Sequence, residues 1–351
     1  MKLNVEAKNL SYEILIEKGA LLNSGVRIKN IVSNHKLFVI TDKNVYKFHG
    51  ETLKKSLMEN DVDFEIVVLE PGEKTKSFDV AKYLYDYLIE KNISRKDYIA
   101  AFGGGVVGDL TGFVASTILR GVKFIQIPTT LLAQVDSSVG GKVAINLDGG
   151  KNLVGSFYPP CDVIIDPLVL ETLSEAEVSC GMAEIIKYGA IYDKNLFDKL
   201  LNCDVKDNIE EIIYRCVDIK REVVSEDEFD LGLRMILNFG HTFGHIVESY
   251  YDLKKYNHGQ GVAIGMEKIT YATEKMGLTK EGTYDKLKEI LQKYNLHFED
   301  VKISKEDGEK ILFHDKKSET DSINYVIISE IGKCEILKLK KEENLLWKYW
   351  N

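Results

Sequence analysis

The sequence predicts two domains in series, an α/β domain on a mostly parallel sheet followed by an all-α domain, divided into residues 1–172 and 173–351. Three observations carry this prediction. The five prolines (Pro71, Pro128, Pro159, Pro160, Pro167) all lie in the first half, and none follows Pro167 to interrupt a helix. Before residues 167–174, where the boundary is placed, β-branched runs alternate with helical patterns, as in βαβ units. After it, EIIKYGAIY, NIEEIIYRCVDIKREVV and KLKEILQKYN space apolar residues by three and four, which marks amphipathic helices.

The expected strands, in order, are KLFVIT at 36–41, FEIVVL at 64–69, YIAAFGG from Tyr98, KFIQIP from Lys123 and DVIID from Asp162. At 351 residues the chain can bury two cores. The acidic SEDEFD at 225–230 is a solvated connection, and the tail LLWKYW a packing helix end.

Composition narrows the function. Asp and Glu outnumber Lys and Arg by 55 to 46, and the net charge of −9 disfavours nucleic acid as a partner. Small anions stay open through local cationic clusters. The five cysteines (Cys161, Cys180, Cys203, Cys216, Cys334) are scattered and contain no C-x-x-C pair, so reduced thiols and a cytoplasmic protein are expected. The start, MKLNVEAKNLSYEILIEKG, lacks the apolar core of a signal peptide. No apolar run reaches the roughly 18 residues of a membrane span, so no membrane partner is expected.

Gly103, Gly104, Gly105 and Gly108 follow the strand from Tyr98 and precede a helix starting near Asp109, which satisfies G-x-G-x-x-G between strand and helix. Backbone N–H groups there favour a pyrophosphate, although a turn needed only for packing has the same pattern. The usual Rossmann context is incomplete, because no acidic residue follows about 20 residues on. An earlier strand end supplies Asp42 instead, at the carboxyl edge where open α/β sheets bind ligands. The stretch from Ile127 to Pro160 is polar and glycine-rich, reads as a long loop, and carries Thr129, Thr130, Asp136, Ser137, Lys142, Lys151 and Asn152. Lysines among glycines suggest phosphate or carboxylate recognition, and structureless loops of this length are uncommon unless functional.

His241 and His245 are four apart, so on a helix their rings rise from one face. His258 follows a connecting segment, with Gly259 and Gly261 beside it to let backbone approach a bound group. Three imidazoles, or two plus a carboxylate, form the usual ligand set of a catalytic zinc-type ion. Spacing alone leaves both sets open.

These segments together resemble the 3-dehydroquinate synthase family of sugar phosphate cyclases. The motifs GGGVVGDLTGFVAS, PTTLLAQVDSSVGGK, GKNLVGSFYPP, GMAEIIKYG, LNFGHTFGHIVE and HGQGVAIGM occur in family order, from about Asp42 to Met266. The resemblance implies a Rossmann-like, NAD-binding first domain and a helical metal- and substrate-binding second domain, with the active site in the cleft between them. It implies conversion of 3-deoxy-D-arabino-heptulosonate 7-phosphate to 3-dehydroquinate and inorganic phosphate. The family's route is transient oxidation by NAD, β-elimination of phosphate, re-reduction and intramolecular aldol closure.

Carried over residue by residue, the resemblance assigns one divalent ion per subunit, zinc or cobalt, to Glu184, His241 and His258. His245 becomes an acid/base group beside it. NAD falls to Asp42, the loop Pro71, Gly72, Glu73, Lys74, Thr75 and Lys76, the turn Gly105, Val106, Val107, Gly108 and Asp109, then Thr129, Thr130, Lys142, Lys151, and Val169, Leu170, Glu171 and Thr172. Substrate phosphate is assigned to Lys142, Asn152, Asn238, one of Lys316 or Lys317, and Arg120 from a neighbouring subunit, which implies a homodimer. Arg234 and Lys220 take the substrate carboxylate, and Asp136 and Lys187 face the ring hydroxyls. One departure from the family pattern is Gln260, where many relatives have Glu after His-Gly, and it bears on how His258 is oriented.

Three other functions fit parts of this inventory. A cyclase making 2-deoxy-scyllo-inosose from glucose 6-phosphate has no carboxylate for Arg234 and Lys220. A metal-dependent polyol dehydrogenase needs no phosphate pocket and accumulates NADH. A regulatory module binds NAD and metal without turnover.

Overall fold

The structure, a computed structural model, describes residues 1–8, 10–251, 255–315, 322–340 and 345–349. The chain forms two compact units, Met1–Ser174 with Ile209–Phe229, and Glu175–Asn208 with Asp230–Asn351.

The first unit holds strands β1 (Lys2–Ala7), β2 (Leu10–Ile16), β3 (Leu37–Asp42), β4 (Phe64–Leu69), β5 (Tyr98–Gly103), β6 (Phe124–Pro128), β7 (Lys142–Leu147), β8 (Gly150–Phe157) and β9 (Asp162–Ile165). Seven of them make one sheet in the order β1-β2-β9-β6-β5-β3-β4. Only the β1 and β2 pair is antiparallel within it; the other neighbours are parallel. The five strands expected from β-branched runs are β3, β4, β5, β6 and β9. They read as apolar runs with few polar interruptions, Glu65 and Gln126 among them, because the sheet is covered on both faces. Along β3, Leu37 and Val39 enter one core with Ile28, Leu53 and Leu57, while Phe38 and Ile40 enter the other with Leu84, Leu110 and Val114. Each such side chain contributes about 1.5–3 kcal/mol by burial.

The stretch from Ile127 to Pro160, expected as a long loop, is instead mostly ordered: a π-helical turn at Ala133–Ser137 and the antiparallel hairpin β7–β8. Along β7 the buried apolar residues alternate, and Val143 and Ile145 close the core beside Leu110 and Phe113. At Gly155 a Cβ would lie 2.3 Å from the Val143 carbonyl oxygen, so a glycine there is what lets the strands close.

The second unit carries helices Glu175–Ile191, Lys194–Asn202, His241–Tyr250, His258–Lys275, Thr283–Lys293 and Lys305–Asp315. It was expected to be all-α, and is corrected by one antiparallel hairpin, β10 (Ser322–Glu330) with β11 (Lys333–Lys340). Ile323, Tyr325, Ile327 and Ile328 of β10 are buried, and the Tyr325 ring stacks on Phe243 with centroids 5.8 Å apart. Gly332, at φ 88°, makes the turn. No helix among the described residues is long and apolar enough to cross a membrane, and all five cysteines are free.

Candidate active site

In the second unit three helices bring one side chain each to a common point. Glu184 comes from Glu175–Ile191, and His241 and His258 are the first residues of their helices. One ligand atom from each lies within 4.8 Å of the others. Glu184 Oε1 is 3.6 Å from His241 Nε2 and 3.6 Å from His258 Nε2.

Close backbone packing makes this convergence possible. A Cβ on Gly259 would sit 2.4 Å from the Cys180 carbonyl oxygen, one turn before Glu184, and a Cβ on Gly265 would sit 1.9 Å from the Gly240 oxygen, just before His241. The helix His258–Lys275 therefore touches both other ligand-bearing segments. Gly259 and Gly261, expected to admit a bound group, serve helix contact instead.

Hydrogen bonds set the imidazole tautomers. His241 Nδ1 lies 3.1 Å from the Phe239 carbonyl and His258 Nδ1 lies 2.8 Å from Glu248 Oε1. Both partners accept, so each Nδ1 donates and each Nε2 of a neutral ring turns its lone pair toward Glu184. Burial drives His241 down to about 3, with Glu184 opposing. Burial also pulls His258 down, but hydrogen bonds and charge from Glu184 and Glu248 outweigh it and push the ring up to about 10. With both rings neutral, the Glu184 and Glu248 carboxylates outnumber the Lys187 ammonium, and a dication taking the place of the His258 Nε2 proton relieves that excess. One carboxylate and two imidazoles suit a zinc-type ion with room for a further ligand.

Lys187, expected on the face of Glu184, forms an ion pair with it, and both are buried. His245 follows His241 by one turn, with ring centroids 5.9 Å apart, but stays outside the three-residue cluster. That corrects the three-imidazole ligand set. His245 instead lines a cavity of about 360 Å³ with Asn238, His241, Thr242, Ser322 and Asn324. Arg234 is buried in the short helix Leu233–Asn238. Lys316 and Lys317 lie outside the described residues. Glu248, Ser322 and Asn324 were missed from the sequence. Glu248 left one signal: it falls seven residues after His241 and three after His245, on their stripe.

In the first unit the residues assigned to NAD, apart from Lys142 and Lys151, follow the carboxyl ends of β3, β4, β5, β6 and β9. Strand order reverses between β3 and β5, and Asp42 and the glycine turn stand at the carboxyl ends of those two strands. Asp42 caps the next turn, accepting from Asn44 N at 2.8 Å and Val45 N at 3.1 Å. The segment Pro71 to Lys76 follows β4, with Gly72 at φ 104°. Gly105, Val106, Val107, Gly108 and Asp109 form the first turn and a half of the helix Gly105–Thr117. A Cβ on Gly104 would lie 2.8 Å from Thr130 Cγ2, so this turn rests against the end of β6, where Thr129 N donates to Gly103 O at 3.0 Å. After β9, Val169, Leu170, Glu171 and Thr172 form a 3-10 turn, and Thr172 Oγ1 lies 2.8 Å from His49 Nε2.

The hairpin β7–β8 presents Lys142, Lys151 and Asn152. The buried Lys76 ammonium binds the Asp109 carboxylate and donates to Asn152 Oδ1 at 2.5 Å. Burial pushes the Asp109 carboxyl up, against the pull of Lys76. Lys220 Nζ donates to the Asp136 carbonyl at 2.8 Å and lies 3.0 Å from its Oδ1, which joins two residues assigned to substrate. Arg120 is exposed in a turn at φ 68°.

Sequence models of one family match most of the chain. The model described as 3-dehydroquinate synthase N-terminal matches residues 66–180, and 3-dehydroquinate synthase C-terminal matches residues 181–318. The 3-dehydroquinate synthase of Clostridium kluyveri is 50% identical over 345 residues, covering 97% of this chain and 96% of the relative. Among solved structures, 2-deoxy-scyllo-inosose synthase complexed with carbaglucose-6-phosphate, NAD+ and Co2+ is similar with a TM-score of 0.85 and 24% identity, over 99% of this chain and 100% of that one. The 2-epi-5-epi-valiolone synthase from Streptomyces hygroscopicus, with NAD+ and Zn2+ bound, gives a TM-score of 0.86 at 24% identity over 96% of each chain. At that identity both structures speak to the fold alone.

Proposed function

The chain belongs to the 3-dehydroquinate synthase family, and from that premise we propose that it converts 3-deoxy-D-arabino-heptulosonate 7-phosphate to 3-dehydroquinate and inorganic phosphate, with one NAD and one zinc or cobalt ion per subunit. The observation that carries the proposal is the meeting of Glu184, His241 and His258 around one point. When bound, NAD supplies a reversible hydride acceptor and the ion a Lewis acid for the hydroxyl being oxidised.

The rest is the work of the chain. Glu184, His241 and His258 would hold the ion. His245, in the cavity beside them, moves a proton at a substrate hydroxyl. Asp136 and Lys187 orient ring hydroxyls, and their ion pairs with Lys220 and Glu184 keep those groups aimed. Lys142, Asn152, Asn238 and Arg120 of the partner subunit stabilise the departing phosphate, so the working form is a homodimer. Arg234 and Lys220 recognise the carboxylate, which favours the heptulosonate over glucose 6-phosphate. NAD is held by Asp42, the 71–76 loop, the 105–109 turn, Thr129, Thr130, Lys142, Lys151 and the segment 169–172. The free cysteines accord with a cytoplasmic setting.

The test is phosphate release from the heptulosonate 7-phosphate by purified protein with zinc or cobalt and trace NAD, with NADH followed in parallel. Phosphate is expected without net NADH. Stoichiometric NADH without phosphate would identify a dehydrogenase, and phosphate release from glucose 6-phosphate alone another cyclase.

A further inference from the structure

On the reading that Glu184, His241 and His258 hold a divalent ion, we propose that Glu248 is a positioning residue that fixes the His258 ring and so sets the affinity of the site for a zinc- or cobalt-type ion. The helix His241–Tyr250 carries His241, His245 and Glu248 on one stripe. His241 belongs to the ligand cluster and His245 lines the cavity. Glu248 does neither, yet it is a carboxylate only 5% exposed.

Burying a carboxylate is costly unless a donor meets it, and packing alone would be served by an apolar residue of the same size. One donor here is His258 Nδ1, 2.8 Å from Glu248 Oε1. A neutral imidazole can present either nitrogen to a metal, and rotation about its side chain exchanges them. An acceptor fixed on Nδ1 removes that freedom and commits Nε2, which lies 3.6 Å from Glu184 Oε1.

The two histidines are held by different means. His241 is oriented by the backbone carbonyl of Phe239, two residues away in its own segment. His258 sits at the start of a different helix from its partner, and its orientation depends on a side chain brought in from outside. Gly261 makes room for that side chain. A Cβ there would lie 3.1 Å from Glu248 Cγ and 3.1 Å from the Gly244 oxygen.

The experiment measures Co2+ binding to the apoprotein by competition with a coloured chelator, together with the visible absorption of the Co2+ protein and the melting of each apo variant. Glu248→Leu is expected to weaken binding by about 10–100-fold and to alter the absorption bands. Glu248→Gln keeps an oxygen that accepts from Nδ1, and should stay within roughly tenfold of the wild type. If Glu248→Leu does not fold, Glu248→Asp, whose carboxylate is withdrawn by one methylene, must show the same loss. Wild-type affinity and spectrum in Glu248→Leu, or in Glu248→Asp where that variant stands in, would overturn the proposal while leaving the ligand set intact. Absence of Co2+ binding to the wild-type protein would overturn the ligand set, and this proposal with it.

Discussion

Asn257 and Gln260 cap the helix that begins at His258 reciprocally: Gln260 N donates to Asn257 Oδ1 at 2.9 Å, and Asn257 N donates to Gln260 Oε1 at 2.9 Å. Gln260 has a structural task in this cap that a glutamate would also perform. The His258 ring bonds to Glu248, not to residue 260. Gln260→Glu is therefore expected to leave urea stability and metal affinity unchanged. Gln260→Ala should lose about 1 kcal/mol of stability through the cap. A large fall in metal affinity in Gln260→Glu would show that residue 260 reaches the ligand set after all.

Loss of His258 or of Glu184 should empty the site, and each loss leaves a buried charge without one of its partners, Glu248 in the first case and Lys187 in the second. His258→Ala removes one imidazole, and elemental analysis should find the purified variant without metal while its far-ultraviolet dichroism stays native. Glu184→Gln also empties the site and takes the carboxylate from the buried Lys187 ammonium, and breaking such a pair costs about 3 kcal/mol or more. Retention of stoichiometric metal by His258→Ala would remove it from the ligand set.

What the sequence made legible follows from the physics of each segment. Strands β3, β4, β5, β6 and β9 were visible because a sheet buried on both faces leaves runs with few polar interruptions. The hairpin β7–β8 was hidden because Val143 and Ile145 alternate into the core, while glycine, lysine and asparagine mix with the exposed Leu147, Leu153 and Phe157 at other positions. The hairpin β10–β11 lay in a region read as helical from its lack of proline, although Ile323, Tyr325 and Ile327 already alternate. Local periodicity placed Glu184 beside Lys187 and His241 beside His245. It could not show that Glu184 meets His241 and His258, because that contact depends on Gly259 and Gly265 packing against Cys180 and Gly240. The family resemblance supplied that grouping, and the coordinates brought in Glu248.

Lys76 and Asp109 join the 71–76 loop to the helix after the glycine turn, and Lys76 also reaches Asn152 on the hairpin β7–β8. Lys76→Met leaves the Asp109 carboxylate without that cation, with an expected stability loss of about 3 kcal/mol. The double variant Lys76→Met with Asp109→Asn should be more stable than the sum of the single losses predicts, measured by urea unfolding. NAD affinity, measured by titration calorimetry, should fall in all three variants. Additive stability losses would mean that the pair holds nothing together.

Arg120 occupies a turn in which Leu119, at φ 50°, and Arg120, at φ 68°, are both left-handed, and Arg95 Nε donates to the Leu119 carbonyl at 2.9 Å. A side chain at such a backbone angle is unfavourable, and Arg120→Gly should be more stable than Arg120→Ala by about 1 kcal/mol. If the guanidinium serves the departing substrate phosphate, both variants should lower kcat/KM alike despite that difference. The cross-subunit assignment has its own signature. Arg120→Ala and His245→Ala are each expected to be nearly inactive alone. Unfolded and refolded together, they should form mixed dimers in which one site has both groups, recovering roughly a quarter of wild-type activity. No recovery in mixtures that sedimentation shows to be dimeric would place Arg120 in its own subunit's chemistry, or outside it.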